Sequence, residues 1–183
     1  ARPVQWVVAI YGDRVVPMSI FGITAGVKTF GHRFHAPGAI VLETAGDYAE
    51  TLKREGHVIA SWSVRRARIE AGVAGLAEAA GLTVALDPDL IDEVNALVEW
   101  PVPVMGGFDE DFLVVPEEAL VSVMRDHQKY FHLRDAAGRL VPRFITVSNI
   151  ESRDPAAVIT GNERVIRPRL ADAKFFFDKD RER

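Results

Sequence analysis

The sequence predicts an α+β fold: a mixed, mostly antiparallel sheet with packed helices, followed by a C-terminal helical extension. Three observations lead there. β-rich runs come in neighbouring pairs around turn residues, amphipathic helical stretches lie between those pairs, and no internal repeat at a period of roughly 20 to 50 residues organises the 183 residues. Antiparallel hairpins therefore fit better than a regular series of parallel crossovers.

Taken in order, Val4 to Ile10 and Val15 to Ile20 flank Gly12 and Asp13 and read as a hairpin. Their near-continuous apolar character predicts a sheet covered on both faces. Residues 21–38, with Gly22, Gly26, Gly31, Pro37 and Gly38, predict a long irregular connection of a kind usually kept for a function. Ala39 to Leu42 is a strand and Asp47 to about Arg54 a short helix. A second helix spans about Ser63 to Ala80, its face marked by Ile69, Val73, Leu76 and Ala80, and Gly81 ends it. Asp87 before Pro88 is an N-cap with proline at the first helical position, and Leu90, Ile91, Val94, Leu97 and Val98 form the apolar stripe that follows. Pro101 and Pro103 hold Val102 to Met105 extended, Gly106 and Gly107 turn the chain, and Pro116 opens a helix with Glu117 and Glu118 in its first turn. Tyr130 to Leu133 and Arg143 to Val147 form a second hairpin around Ala136, Ala137 and Gly138. From Pro155 the pattern is helical, with a break or kink expected at Pro168. The expected organisation is one α+β domain over 1–153 and a helical extension over 154–183.

Composition narrows the function classes. With 48% hydrophobic and 26% charged residues the chain is an ordinary globular one, and its lack of cysteine excludes a disulfide framework, a thiolate zinc site and a cysteine nucleophile. No apolar run reaches membrane-spanning length and the start lacks a basic segment before its apolar residues, so a cytoplasmic, non-membrane protein is expected. The chain begins with Ala1 rather than Met and stops within a charged helical pattern, so a piece of a longer protein is expected. The net charge of −4 hides an uneven layout. Residues 1–68 hold nine Lys/Arg and five Asp/Glu, residues 69–123 hold none and twelve, and residues 124–183 hold thirteen and nine. The two outer segments suit a polyanion and the middle one repels it.

Catalytic signatures are missing. His32 and His35 have a spacing that metal sites use, but without cysteine or HExxH they read as loop or core histidines, and no metal is assigned. The motifs GxxxxGK(S/T), GxGxxG and GxSxG do not occur, and Asp109, Glu110 and Asp111 read as a solvated turn. No catalytic residue is assigned. The groups that remain are cationic. Lys28, His32 and Arg33 sit among aromatics in a glycine-flanked loop, and Arg65, Arg66 and Arg68 open a helix. Arg125, His127, Lys129 and Tyr130 gather at a helix end, while Arg164, Arg167 and Arg169 surround Pro168. Such residues hold phosphates and stack on bases. They also serve as ordinary helix-dipole partners and ion-pair donors within a fold.

The runs RPVQW at 2–6, TFGHRF at 29–34, VEWPVPVMGGFDEDFLVVP at 98–116, MRDHQKYF at 124–131 and GNERVIRPRLADAKFFFDKD at 161–180 extend, in order, over the whole chain. Together they resemble the β subunit of the bacterial-type heterotetrameric glycyl-tRNA synthetase. The resemblance implies an internal segment of that subunit and a B3/B4-like α+β region of the kind known from the phenylalanyl-tRNA synthetase β subunit. It implies a part in an ATP-dependent glycine–tRNA ligase, an α2β2 enzyme, with tRNA-Gly and the α subunit as partners. ATP and Mg are expected at the α subunit, and no cofactor in this segment, which by itself is expected to be non-catalytic. Asp126-His127 reverses the order of an HD metal dyad and is not carried over as one, and the family's anticodon-binding portion has no counterpart here. The leading expectation is a tRNA-positioning and scaffolding role through the cationic groups named above. The alternatives are an editing hydrolase for mischarged tRNA, by analogy with B3/B4, and a purely structural interdomain module.

Overall fold

A computed structural model describes residues 4–182, so Arg2 and Pro3 of RPVQW lie outside the described residues. The architecture is α+β with antiparallel sheets and a long C-terminal helix, as the sequence predicts. The chain divides into two compact units, the first ending at Arg65 and the second beginning at Arg66. No helix among the described residues is long and apolar enough to cross a membrane.

The first unit is built from short hairpins. β1 (Ile10–Tyr11) pairs with β2 (Arg14–Val15) around Gly12 at φ 62°. β3 (Ser19–Ile20) pairs with β4 (Ile23–Thr24) around Phe21 and Gly22, both at positive φ, and β5 (Lys28–Phe30) pairs with β6 (Ala39–Val41). Thus the region read as one irregular connection holds strands of its own. The expectation of a sheet covered on both faces is not met: Tyr11 is 84% and Phe21 81% exposed, and Val15, Val16, Met18 and Ile20 are exposed too. Pairs of two residues build no surface wide enough to cover twice. α1 (Tyr48–Gly56) closes the unit by burying Leu52, which lies with the buried Ile40 beside Gly56, and its end is fixed by His57 in the left-handed region at φ 51°.

The second unit is organised by a four-stranded antiparallel sheet. β7 (Thr83–Val84), β9 (Phe131–Arg134), β10 (Leu140–Ser148) and β8 (Val102–Gly107) lie in that order. Side chains alternate across β9 and β10 with the strand period of two. Phe131, Leu133 and Ile145 therefore join Ile69 and Val73 of α2 (Trp62–Ala79) and Leu90, Ile91 and Val94 of α3 (Pro88–Leu97) in one core cluster. Phe144 and the adjoining Tyr130 join Leu120 of α4 (Glu117–Ser122), Met124, and Ile166 and Leu170 of α5 (Pro155–Arg181) in another.

α3 follows its sequence signature: the Asp87 carboxylate accepts the backbone N–H groups of Asp89 (2.9 Å) and Leu90 (3.4 Å). Leu97, expected in its apolar stripe, is instead 68% exposed, and Asn95 is buried. Gly106 and Gly107 do not turn the chain but end β8, with Gly106 opposite Phe144. A side chain at 106 would place its Cβ 2.7 Å from Phe144 Cζ, so glycine is what lets the ring lie over the strand. α4 runs into a π-helical turn at Val123–His127 that delivers Tyr130 to the core. α5 continues through Pro168 rather than breaking. The proline ring faces outward and buried Ile166 and Leu170 anchor the helix on either side of it.

Candidate nucleic-acid interface

The cationic residues fall into two groups once their partners are known. The larger group is tied into the fold. Arg66 bonds Asp92 at 2.8 Å and also Glu70, Arg125 bonds Asp87 at 2.6 Å and Asp126 at 2.8 Å, and Lys129 reaches Glu93 at 2.8 Å. Arg134 bonds Glu117. Most of these pairs join a cation from an outer segment of the sequence to an acid of the cation-free segment 69–123. The uneven charge layout is therefore, in good part, internal pairing within the second unit rather than separate basic and acidic faces. Exposed pairs of this kind stabilise little but set side-chain direction.

Several other predicted residues are held by packing. Arg65 donates to the Ile59 carbonyl at 2.6 Å and lies over Trp62, and Arg68 lies 4.6 Å from the centre of the Trp100 ring. His32, a stacking or hydrogen-bonding candidate for tRNA or a neighbouring domain, is buried; its Nδ1 accepts the backbone N–H groups of Phe34 and His35, both at 3.2 Å. Tyr130 is buried as well, stacked on Phe144 with centroids 4.5 Å apart, and its hydroxyl donates to Asn162 Oδ1 at 2.8 Å. Burial pushes its pKa up to about 12, so it remains a neutral phenol in the core. These two corrections have one cause: polar aromatic groups lie inside whenever the backbone or a neighbouring amide satisfies them. His127 is exposed at the last residue of the π-helical turn. Among the described residues no group of three or more His, Asp or Glu is placed to hold a metal ion.

Of the residues singled out from the sequence, Lys28, Arg33, Arg164, Arg167 and Arg169 form the second group, exposed and without an ion pair among the described residues, as are Arg143 and Arg153 elsewhere in the second unit. Lys28 lies on β5 and Arg33 just beyond it. Arg164 and Arg167 are three residues apart and share a flank of α5, whereas Arg169 points to the other flank of the buried Ile166–Leu170 line. Lys28 borders a cleft of the first unit, while Arg164 and Arg167 border another in the second. The latter measures about 410 Å³ and lies between α5 and the end of β8, lined by Gly107, Phe108, Asp109, Phe112, Thr160 and Glu163 besides the two arginines. Its walls are fixed. Glu163 Oε1 accepts the Gly107 N–H at 2.9 Å, the Phe108 N–H donates to the Pro142 carbonyl at 3.1 Å, and Asp109 caps the following 3-10 turn through the Asp111 N–H at 3.1 Å. Sequence reading found the two arginines and missed the aromatic wall. The acidic run at 109–111, read as a solvated turn, hid the phenylalanines on either side of it.

The ion pairs and the half-buried His132 make the second unit acid-sensitive. The bond from Arg125 holds the Asp87 carboxyl below its usual range, and that from Arg134 does the same for Glu117. Burial, helped by Arg134 and opposed by Glu117, lowers His132. All three groups bind a proton more weakly folded than unfolded, so their stabilisation is complete above the unfolded pKa and is lost as pH falls. Stability measured by denaturant unfolding is expected to start declining below about 6.5, the ordinary histidine value, and to fall again below the ordinary carboxylate values of 4.5 and 3.8. His132→Gln is expected to remove the upper step alone; identical profiles for the two proteins would show that His132 does not produce it.

Comparison with known proteins adds the family. The sequence model of a family described as glycyl-tRNA synthetase beta subunit matches residues 1–183. The chain is 54% identical over 181 residues to the glycine–tRNA ligase beta subunit of Marinobacter nauticus, covering 98% of this chain and 26% of that protein. It is 58% identical over 181 residues to the one of Chromohalobacter salexigens, covering 99% and 26%, and 49% identical over 182 residues to the one of Hahella chejuensis, covering 100% and 26%. The chain thus spans about a quarter of the length of these curated relatives.

Proposed function

Because the chain belongs to the glycyl-tRNA synthetase β-subunit family, we propose that it serves a glycine–tRNA ligase as a non-catalytic part that contacts and positions tRNA-Gly. In this reading ATP and glycine are handled by an α subunit of an α2β2 enzyme in the cytoplasm. One observation carries the reading. Of the many cations in the second unit, Arg164 and Arg167 stand together, exposed and free of ion pairs among the described residues, on the rim of a cleft. Guanidiniums already bound to carboxylates gain little from a phosphate; these two have their donors available.

The test is Arg164→Ala with Arg167→Ala in the assembled enzyme. The double variant is expected to bind tRNA-Gly severalfold more weakly at moderate salt and to lower the salt slope of binding by about one unit. Melting should be unchanged, because neither side chain is buried. Unchanged tRNA affinity and salt slope in a folded double variant would sink the assignment.

A structural contribution accompanies this role. The bonds of Arg66, Arg125 and Lys129 join α2 and the π-helical turn to the acids of α3 and its cap, which orients the helices beside the sheet.

A further inference from the structure

We propose that the cleft between α5 and the end of β8 holds a single unpaired ribonucleotide, its base against the Phe108 and Phe112 wall and its phosphate between Arg164 and Arg167. The inference rests on the tRNA-contacting reading and says which part of an RNA the site takes.

The charge of the cleft selects the ligand. Two guanidiniums face two carboxylates, Asp109 and Glu163, so the site is close to neutral and does not attract a long run of phosphates as a basic groove does. Both carboxylates are already anchored by backbone N–H groups, which leaves their remaining lone pairs to accept from ribose hydroxyls or a base amino group. A ligand that suits this arrangement brings one anionic group, several donors and a flat apolar ring. A nucleotide has all three.

Shape agrees. A volume of about 410 Å³ lies within the range of small-molecule sites and is large enough for one nucleotide. Phe108 and Phe112 are half-buried, packed on their inner side against the core that contains Phe144, so each keeps limited freedom while part of its ring remains accessible. Base-on-aromatic stacking of this kind tolerates any base. Within a duplex both faces of a base are already stacked, so only an unpaired nucleotide can enter. At Gly107 the strand end lies close to β10, a Cβ there standing a tight 3.3 Å from the Pro142 carbonyl oxygen.

The experiment is photocrosslinking of the assembled enzyme with a five-nucleotide RNA carrying one 4-thiouridine, followed by peptide mapping. The expected crosslink lies within residues 107–112 or 160–167 and resists competition by a blunt RNA duplex. Competition by the unlabelled pentanucleotide but not by AMP identifies an RNA strand as the source, and competition by AMP as well identifies a free nucleotide; in both cases the site is occupied by a nucleotide. Phe108→Leu is expected to weaken pentanucleotide binding about tenfold. Arg164→Lys with Arg167→Lys, which keeps the charge on two exposed positions and does not threaten folding, is expected to weaken it severalfold by removing the planar forks. A crosslink elsewhere, or unchanged binding by both variants, overturns the inference. If the alanine double variant weakens tRNA binding while these results are negative, the arginines contact phosphate and only the nucleotide pocket is wrong. If tRNA binding is also unaffected, the broader reading fails with it.

Discussion

Replacing Phe144 by alanine is expected to destabilise the second unit by about 3–5 kcal/mol, measured as a drop in the midpoint of chemical denaturation. The ring is fully buried at the centre of β10, packed with Leu120, Met124, Ile166 and Leu170, and stacked within 9° of parallel on Tyr130. Its loss leaves a cavity that sheet and helices are poorly able to close, because β10 is hydrogen-bonded to strands on both sides. The same ring covers Gly106 on β8, and this makes the sign of a second substitution depend on it. Gly106→Ala normally reduces the backbone entropy cost of glycine in a strand, but here its Cβ meets Phe144 Cζ at 2.7 Å and the atoms on either side of it at 3.1 and 3.2 Å. Gly106→Ala is therefore expected to cost about 1–3 kcal/mol in the parent and much less beside Phe144→Leu, which lacks the far end of the ring. Additive effects in that double-mutant cycle would mean that the ring does not rest on the glycine.

That pair also shows where the sequence stops being legible. The Asp87-Pro88 cap, the hairpin of β9 and β10 and the strand after Pro101 are local matters, set by one capping side chain, one turn glycine and two fixed φ angles, and all three were readable. Gly106 and Gly107 look like a turn because their reason for being glycine is a phenylalanine 38 positions away and a helix beyond that. Leu97 fits the apolar stripe of α3 yet lies at the last helical residue, where the chain is already leaving the core. The candidate site divides in the same way. A run of cations is visible in sequence, but whether an arginine is available depends on whether an acid stands next to it. Arg66 and Arg125 each have a partner close in sequence, Glu70 and Asp126, but the acids that tie Arg66, Arg125 and Lys129 to α3 and its cap lie 26, 38 and 36 residues away. Arg164 and Arg167 are distinguished from them only by the fold, and the aromatic wall that gives them a cleft comes from another element altogether.

The first unit is expected to be most sensitive at Gly31. Its Cβ position lies 2.5 Å from both the Cα and the carbonyl oxygen of Gly56, and 2.9 Å from the carbonyl carbon. These are backbone atoms at the end of α1, so no side chain can rotate aside. The carbonyl in question also accepts the His32 N–H at 2.6 Å, the bond that ties the segment after β5 to the helix end. Gly31→Ala must separate the two backbones, adding the strain of overpacking to the loss of a buried hydrogen bond, for a combined cost of about 2–6 kcal/mol. A unit with so few buried apolar residues has little reserve against a loss of that size. The expected result is early unfolding of the first unit on denaturant titration, seen as increased protease cleavage within residues 4–65 while the second unit keeps its midpoint. Gly38→Ala is the matched control: its Cβ meets nothing within 4 Å and its φ is not in the left-handed region, so it should change stability by no more than about 0.5 kcal/mol. Equal stability of the two variants would show that the contact between Gly31 and Gly56 is looser than the structure has it, and that His32 is held in place by other means.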